Sequence, residues 1–418
     1  MTENALFSPL TLPNGRVLRN RLCKAAMEEN LSDWGQVPGK QLHQLYGFWG
    51  QGGLGLILTG NVMVSPDAMT GPGGVVLQTG SDLTPFTSWA NEAKRDGAMI
   101  WMQISHPGRQ VYAAMGEQAV SASDKGVEIE GFSHLFAQPR ALSEDEIKAL
   151  VLRFATTAGL AEQAGFDGCQ IHAAHGYLIS QFLSPLTNNR SDSYGGTLIN
   201  RARFLMEVVG AVRAQVSSDF CVSVKLNSAD FQKGGFELED AKAVVSMLNQ
   251  AGVDLVELSG GSYESPAMQG RVSESSSSTV RREAYFIDFA REIASVASMP
   301  IMVTGGITRL ETAKAALIQD AQGFGVSMLG IARALALEPR LAQKWQSRSR
   351  EQVSLPQVQW RNKTLAALAT MALTKAQLQR MAAGKAPKEG LNPVFALLRD
   401  RWLTWRRTQR YRRWREGG

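Results

Sequence analysis

Two histidines and a tyrosine fall within six residues in His172-Ala-Ala-His175-Gly-Tyr177. Imidazole can donate hydrogen bonds to an oxyanion, and a phenol can deliver a proton. On one turn the three side chains can converge on a single small polar group. A metal site is the competing reading, because histidine is a common metal ligand. Zinc would want a third ligand and carboxylates behind the imidazoles, and there is no Glu partner as in H-E-x-x-H. A pair of structural core histidines is the third reading. Lys225, inside Val222–Asp230 (VSVKLNSAD), offers a Schiff-base amine or a fixed positive charge for an anionic cofactor. The Gln103 carboxamide can pair with both a donor and an acceptor on a ring edge. Thr304-Gly305-Gly306 and Gly330-Ile331-Ala332-Arg333 are Gly-rich ends of apolar runs. Glycine lets backbone N–H groups approach a phosphate, and arginine adds a charged fork. Two ordinary turns are the alternative there.

Short apolar runs position these residues: Arg21–Ala26, Leu54–Gly60, Met99–Ile104, Phe166–Ile171, Cys221–Leu226, Asp254–Ser259, Ile301–Gly305 and Phe324–Leu329. They are near-continuous in Val, Ile, Leu and Met, the pattern of parallel strands buried on both faces. Amphipathic helical stretches lie between them, among them Ser143–Ala164 with Ser143 and Glu146 in capping-box spacing, Leu238–Ala251 and Glu283–Ser298. Eight such strand–helix units predict an α/β fold of the (β/α)8 TIM-barrel type over residues 1–345, followed by a C-terminal helical extension over 346–418. An open doubly wound sheet is the runner-up, weakened because no G-x-G-x-x-G follows the first strand. The candidate residues then sit at strand ends, with the phosphate candidates after strands seven and eight, where barrels commonly bind phosphate. Two long connections, Ser105–Leu142 and Ser262–Val280, leave the same face and read as lids or as plain surface loops. The second carries SESSSST, which reads as a mobile stretch.

The 418-residue chain has 44 Lys+Arg against 38 Asp+Glu, a formal charge of +6. Arg399–Gly418 holds eight arginines against Asp400 and Glu416, which is also +6, so the remaining chain sums to zero. A neutral body argues against a nucleic-acid surface spread over it. No apolar run reaches the roughly 18 residues of a membrane span, and the first ten residues lack a signal peptide's basic start and apolar stretch. Cys23, Cys169 and Cys221 are far apart and lie in strand-like runs, so they read as buried hydrophobes in a cytoplasmic protein.

Taken together, these motifs resemble the old yellow enzyme family of FMN-dependent oxidoreductases. The resemblance covers about Ala5 to Arg340. It rests on Leu6–Leu10 with Leu18–Met27, Gln103-Ile-Ser-His106-Pro-Gly108-Arg109, His172–Leu186 (HAAHGYLISQFLSPL), Asn188-Asn-Arg190 through Tyr194-Gly195-Gly196, and Asn200-Arg201. It implies that Ala25, Ala26 and Met27 contact the flavin through backbone, that Gly60 and Gln103 meet its pyrimidine edge, and that Lys225 stands near N1/O2, where many relatives place Arg. Gly305, Gly306, Ala332 and Arg333 would bind the FMN phosphate, with Ala332 where Gly is common. His172 and His175 would hold a substrate carbonyl oxygen and Tyr177 would donate the proton. NAD(P)H would reduce the flavin, and N5 would return hydride to a small electron-poor alkene such as an enone. Glu28 stands where relatives carry Thr or Cys beside the flavin, and it implies an altered potential, a protonated Glu, or a side chain turned away or paired with Arg109 or another cation. Iron–sulfur relatives need a cysteine cluster that this chain lacks.

Two other functions stay open on sequence: a metal-dependent or Schiff-base barrel lyase using His172, His175 and Lys225, and a flavin-binding protein whose Glu28 has spoiled the redox step. In the extension, Thr364–Ala383 reads as a helix, Gly384–Pro393 as a linker and Val394 to about Trp414 as a second helix. On the second helix Val394, Phe395, Leu398, Trp402 and Trp405 share one side. That stripe is expected to dock on the barrel or on a second subunit, with a frayed arginine-rich end. A membrane surface and a nucleic acid are the alternatives.

Overall fold

The computed structural model describes residues 5–261, 264 and 289–417. Eight parallel strands close into a ring: β1 (Leu22–Lys24), β2 (Leu56–Leu58), β3 (Met99–Ser105), β4 (Gly168–Ala173), β5 (Cys221–Asn227), β6 (Leu255–Ser259), β7 (Ile301–Thr304) and β8 (Met328–Ile331). The pairing of Leu329 with Leu22 joins β8 to β1, and this closure sets aside the open doubly wound sheet. The last expected run, Phe324–Leu329, yields a strand displaced toward its C-terminal side. Asp320 Oδ1 accepts from the N–H groups of Gln322 and Phe324, which holds Phe324 in a turn instead.

Side chains two apart on a strand share a face, so each strand sends alternate residues into the ring. The first inward layer is apolar: Cys23, Leu56, Leu58, Trp101, Cys221, Leu255, Met302 and Met328 form one buried cluster. An antiparallel hairpin, Leu10–Thr11 with Val17–Leu18, adds Leu10 and Leu18 beneath it and closes the N-terminal end. One step of two along the strands brings Gln103, Gln170 and Glu257, and a further step brings His172 and Ser259. The ring is therefore dry at one end and polar at the other.

The helices are α1 (Lys40–Gly50), α2 (Thr84–Ala93), α3 (Glu144–Gln163), α4 (Leu178–Leu183), α5 (Leu198–Gln215), α6 (Leu238–Leu248), α7 (described over 289–294), α8 (Leu310–Ala316), α9 (Arg333–Leu337) and α10 (Leu341–Gln346). The α3 capping box is present, with Ser143 and Glu146 each accepting the other's backbone N–H. The start of the expected 283–298 helix lies outside the described residues. So does the Ser262–Val280 loop with its SESSSST stretch, apart from Glu264. The Ser105–Leu142 connection is built rather than open: Val120–Ser121 pairs with Arg140–Ala141, and two 3-10 turns, Ala113–Met115 and Ser133–Leu135, brace it.

Two long helices follow the barrel. α11 (Lys363–Ala382) packs on α1 and α9, and α12 (Pro393–Gly417) lies along α11 and over the turns Trp34–Gln36 and Ala113–Met115. The docking face of α12 corrects the expectation that the stripe docks on the barrel. Ala396, Asp400, Thr408 and Tyr411 are buried, whereas the apolar stripe of Val394, Phe395, Leu398, Trp402 and Trp405 faces outward. The arginine-rich end is also not frayed. Tyr411 donates to the Pro66 carbonyl at 2.7 Å, Arg410 to the Ser32 carbonyl, and Arg415 pairs with Asp67. Among the described residues no helix is long and apolar enough to cross a membrane.

Candidate active site

β4 ends with His172, and the chain then turns sharply. His175 has a φ of +61°, a left-handed conformation that costs a non-glycine residue energy. Its N–H donates to Asn227 Oδ1 at 3.1 Å and its carbonyl accepts from Gln110 Nε2 at 3.0 Å, which hold it there. The turn stacks the three candidate rings: His172 lies 5.1 Å from His175 and 4.7 Å from Tyr177, centroid to centroid, both edge-on. His172 Nδ1 accepts the Ala174 N–H at 3.2 Å, so its ring proton sits on Nε2. His175 Nε2 is 2.6 Å from Ser259 Oγ at the end of β6. Burial, and then nearby positive charge including that of Lys225, push both imidazoles well below the usual histidine range. Both are neutral at pH 7. Asn61 Nδ2 donates to the Tyr177 hydroxyl at 3.4 Å.

A chain of buried polar groups crosses the ring beneath this turn. Lys225 Nζ donates to Glu257 Oε1 at 2.8 Å, Gln170 Nε2 to Glu257 Oε2 at 2.8 Å, and Gln103 Nε2 to Gln170 Oε1 at 2.7 Å. The ionised carboxylate can only accept, so each amide's orientation follows from the one before it. Gln103 is left presenting its carbonyl oxygen, and Lys225 keeps two N–H bonds to offer. This is the acceptor-and-donor pair that a ring edge with an N–H and a C=O requires. The Lys225–Glu257 contact also holds the amine in a buried ion pair. Gln170, Glu257 and Ser259 were not singled out from sequence, although the step of two along β4 and β6 places them inward.

Backbone donors gather at the ends of β7 and β8. The N–H groups of Gly305, Gly306, Ala332 and Arg333 enter no hydrogen bond among the described residues. Thr304 Oγ1 is buried without a partner among them. A side chain at Gly330 would place its Cβ 1.8 Å from that oxygen, so the close approach requires glycine. Ala332 has a φ of −107°, outside the left-handed region that favours glycine, and its N–H is retained. The Arg333 guanidinium makes no ion pair or hydrogen bond among the described residues, and burial lowers its pKa. Free backbone donors and an unpaired guanidinium fit a phosphate. At the end of β1, the N–H groups of Ala26 and Met27 are likewise unbonded among the described residues. These groups together fit FMN.

Glu28 does not pair with Arg109. Its Oε1 accepts from Thr70 Oγ1 at 2.6 Å, while Arg109 pairs with Glu264 at 2.6 Å. Behind the β1 end lies a cluster that sequence reading missed. Lys24 is fully buried between β1 and α1, donating to the Leu58 carbonyl at 2.7 Å and to Tyr46 Oη at 3.2 Å, with Glu29 at 3.6 Å. Tyr46 in turn donates to Glu29 at 2.5 Å and accepts the Gly60 N–H at 3.0 Å. Burial drives Lys24 down to about 8 and raises Glu29. A Cβ on Gly60 would lie 2.1 Å from Glu29 Oε2 and 2.3 Å from the Met27 carbonyl, so this glycine lets the β1 and β2 ends meet. The signal in sequence was Lys24 inside the strand-like run Arg21–Ala26, flanked by Cys23 and Ala25. Among the described residues no three His, Cys, Asp or Glu side chains are grouped to share a metal ion.

The family model described as the NADH:flavin oxidoreductase / NADH oxidase family matches residues 5–352. The chain is 36% identical over 335 residues to the NADH-dependent flavin oxidoreductase nadA of Aspergillus parasiticus, covering 77% of this chain and 74% of that protein. It is 38% identical over 360 residues to the NADH-dependent flavin oxidoreductase iliE of Hypocrea jecorina, covering 82% and 88%. Among solved structures, morphinone reductase in complex with tetrahydroNAD aligns with a TM-score of 0.67 at 25% identity, covering 83% of this chain and 92% of that one. The chain therefore belongs to the NADH:flavin oxidoreductase / NADH oxidase family, the old yellow enzyme family, and is an FMN-dependent NAD(P)H oxidoreductase.

Proposed function

We propose that the enzyme reduces an electron-poor alkene, such as an α,β-unsaturated carbonyl compound, at the ring stack of His172, His175 and Tyr177. The supporting observation is the pair of neutral, pre-oriented imidazoles. His172 offers Nε2–H because Ala174 occupies Nδ1, and Ser259 orients the other ring. With Ser259 Oγ–H donating to His175 Nε2, His175 carries its proton on Nδ1, and the two imidazole N–H groups hold a carbonyl oxygen and stabilise the negative charge that grows on it. Tyr177, edge-on to His172, delivers a proton to the α-carbon. FMN, when bound, supplies hydride obtained from NAD(P)H. Ala25, Ala26 and Met27 hold its ring through backbone, Gly60 makes room beside the pyrimidine edge, and Gln103 and Lys225 hydrogen-bond that edge. Gly305, Gly306, Ala332 and Arg333 take its phosphate. The FMN-binding unit is the barrel of residues 1–345, with 346–418 as an extension, and the buried free cysteines suit the cytosol.

Stopped-flow kinetics on the Tyr177→Phe variant test the reading. Flavin reduction by NAD(P)H should keep its rate, and reoxidation by 2-cyclohexenone should slow by at least about 100-fold. Equal slowing of both half-reactions would remove Tyr177 as the proton donor.

A further inference from the structure

α12 is fastened by one face and open on the other. Tyr411 and Arg410 tie it to the barrel loops, so the helix cannot roll its apolar stripe inward. Phe395 is 73% exposed, Leu398 61% and Trp405 60%. At about 100° per residue, exposed Arg399 and Arg406 border the stripe on one side and exposed Arg401 and Arg412 on the other. The Arg406 guanidinium rests 4.7 Å from the centroid of Trp402. Asp400 is buried and pairs with Arg401 at 2.6 Å, so along the stripe, Val394 to Trp405, the outward face carries no exposed acid, and the next is Glu416 beyond its end.

We propose that this face seats on an anionic lipid surface, with α12 parallel to the membrane plane. Phe395, Leu398, Trp402 and Trp405 enter the boundary between headgroups and acyl chains, and the bordering arginines meet the lipid phosphates. Tryptophan and arginine suit that boundary, since each pairs an apolar body with a polar tip. Charge selects the occupant. A two-fold contact between copies of this chain would set these arginine borders against one another, whereas an anionic surface complements both at once. The stripe spans only the first three turns or so, which suits a helix lying on a membrane rather than through it.

The test is co-sedimentation of the full-length FMN-loaded protein with phosphatidylcholine vesicles, with and without phosphatidylglycerol. Binding is expected only with phosphatidylglycerol, falling as salt is raised. Combined Phe395→Ser, Trp402→Ser and Trp405→Ser substitutions should lower the partition coefficient by about 100-fold. Arg399→Gln or Arg406→Gln should each lower it about fivefold. The flavin spectrum and melting temperature should stay unchanged, because these side chains project into solvent. Absence of binding to the phosphatidylglycerol vesicles, or equal binding to both lipids, overturns the proposal. So does a wild-type dimer in sedimentation velocity that the triple variant converts to monomer, since the face would then join two copies.

Discussion

Glu28, just past β1 where the proposed flavin would lie, accepts a hydrogen bond from a neutral hydroxyl, that of Thr70. A negative charge near a cofactor that gains electrons makes reduction harder. Glu28→Thr is therefore expected to raise the flavin midpoint potential, on the order of 30 mV for about 1.4 kcal/mol of two-electron stabilisation, measured by dye-coupled titration. A shift too small to measure would remove Glu28 from potential control. The imidazoles carry a second consequence. His172 and His175 are pushed well down by burial, and His106 falls to about 3 for the same reason. In the unfolded chain all three titrate near 6.5, so below that pH the unfolded state binds more protons and stability falls as pH falls. Glu117, raised to about 7 by burial, acts in the opposite sense between pH 7 and its unfolded value. The raised carboxyls of Glu29 and Asp254 act in the same opposing sense, and the three imidazoles are expected to outweigh them, so stability falls below pH 6. The urea midpoint should therefore be lower at pH 5.5 than at pH 7.

At the scale of elements, the strands do their work through alternation. The same strand that buries Trp101 in the dry layer presents Gln103 in the polar one, and the same holds for Leu255 and Glu257. The outward side matters as well. Lys24 points from β1 toward α1, and Glu29 is the carboxylate facing it. Removing that carboxylate leaves a buried ammonium without its anion, which typically costs about 3–5 kcal/mol. Glu29→Ala should lose that much stability in urea unfolding, with Glu29→Gln losing less because it still accepts a hydrogen bond. Equal, negligible losses in both variants would mean that Lys24 is already neutral and that the pair is not an ion pair.

For the molecule as a whole, the +6 charge sits on a helix that packs on loops at the candidate site's end of the barrel. Tyr411 shares a buried cluster with Met63, Met69, Val111 and Met115, which belong to the loops after β2 and β3. α12 therefore clamps loops that surround the site. Tyr411→Ala removes a fully buried ring and its hydrogen bond, a loss of about 3–5 kcal/mol. That is enough to release the helix locally, and trypsin should then cut among its arginines at least about tenfold faster than in the wild type. An unchanged digestion rate would mean that α11 alone holds α12 in place.

The barrel was legible in the chain because eight near-continuous apolar runs separated by helices read as buried parallel strands, and the missing G-x-G-x-x-G weakened the open doubly wound sheet that the same pattern allows. The His172–Tyr177 grouping was legible because one turn suffices to gather it. The boundaries of the last strand were not, since the Asp320 turn depends on a side chain capping its own backbone. The Gln103–Gln170–Glu257–Lys225 chain joins four strands, and only ring closure brings residues 103 and 257 within reach of one another. The same holds for Glu28, whose partner Thr70 lies 42 residues away. Sequence determined the apolar stripe of α12, because helical periodicity is local. Which face of that helix meets the barrel was decided by tertiary structure alone, since the Tyr411–Pro66 and Arg410–Ser32 contacts form only where distant loops converge.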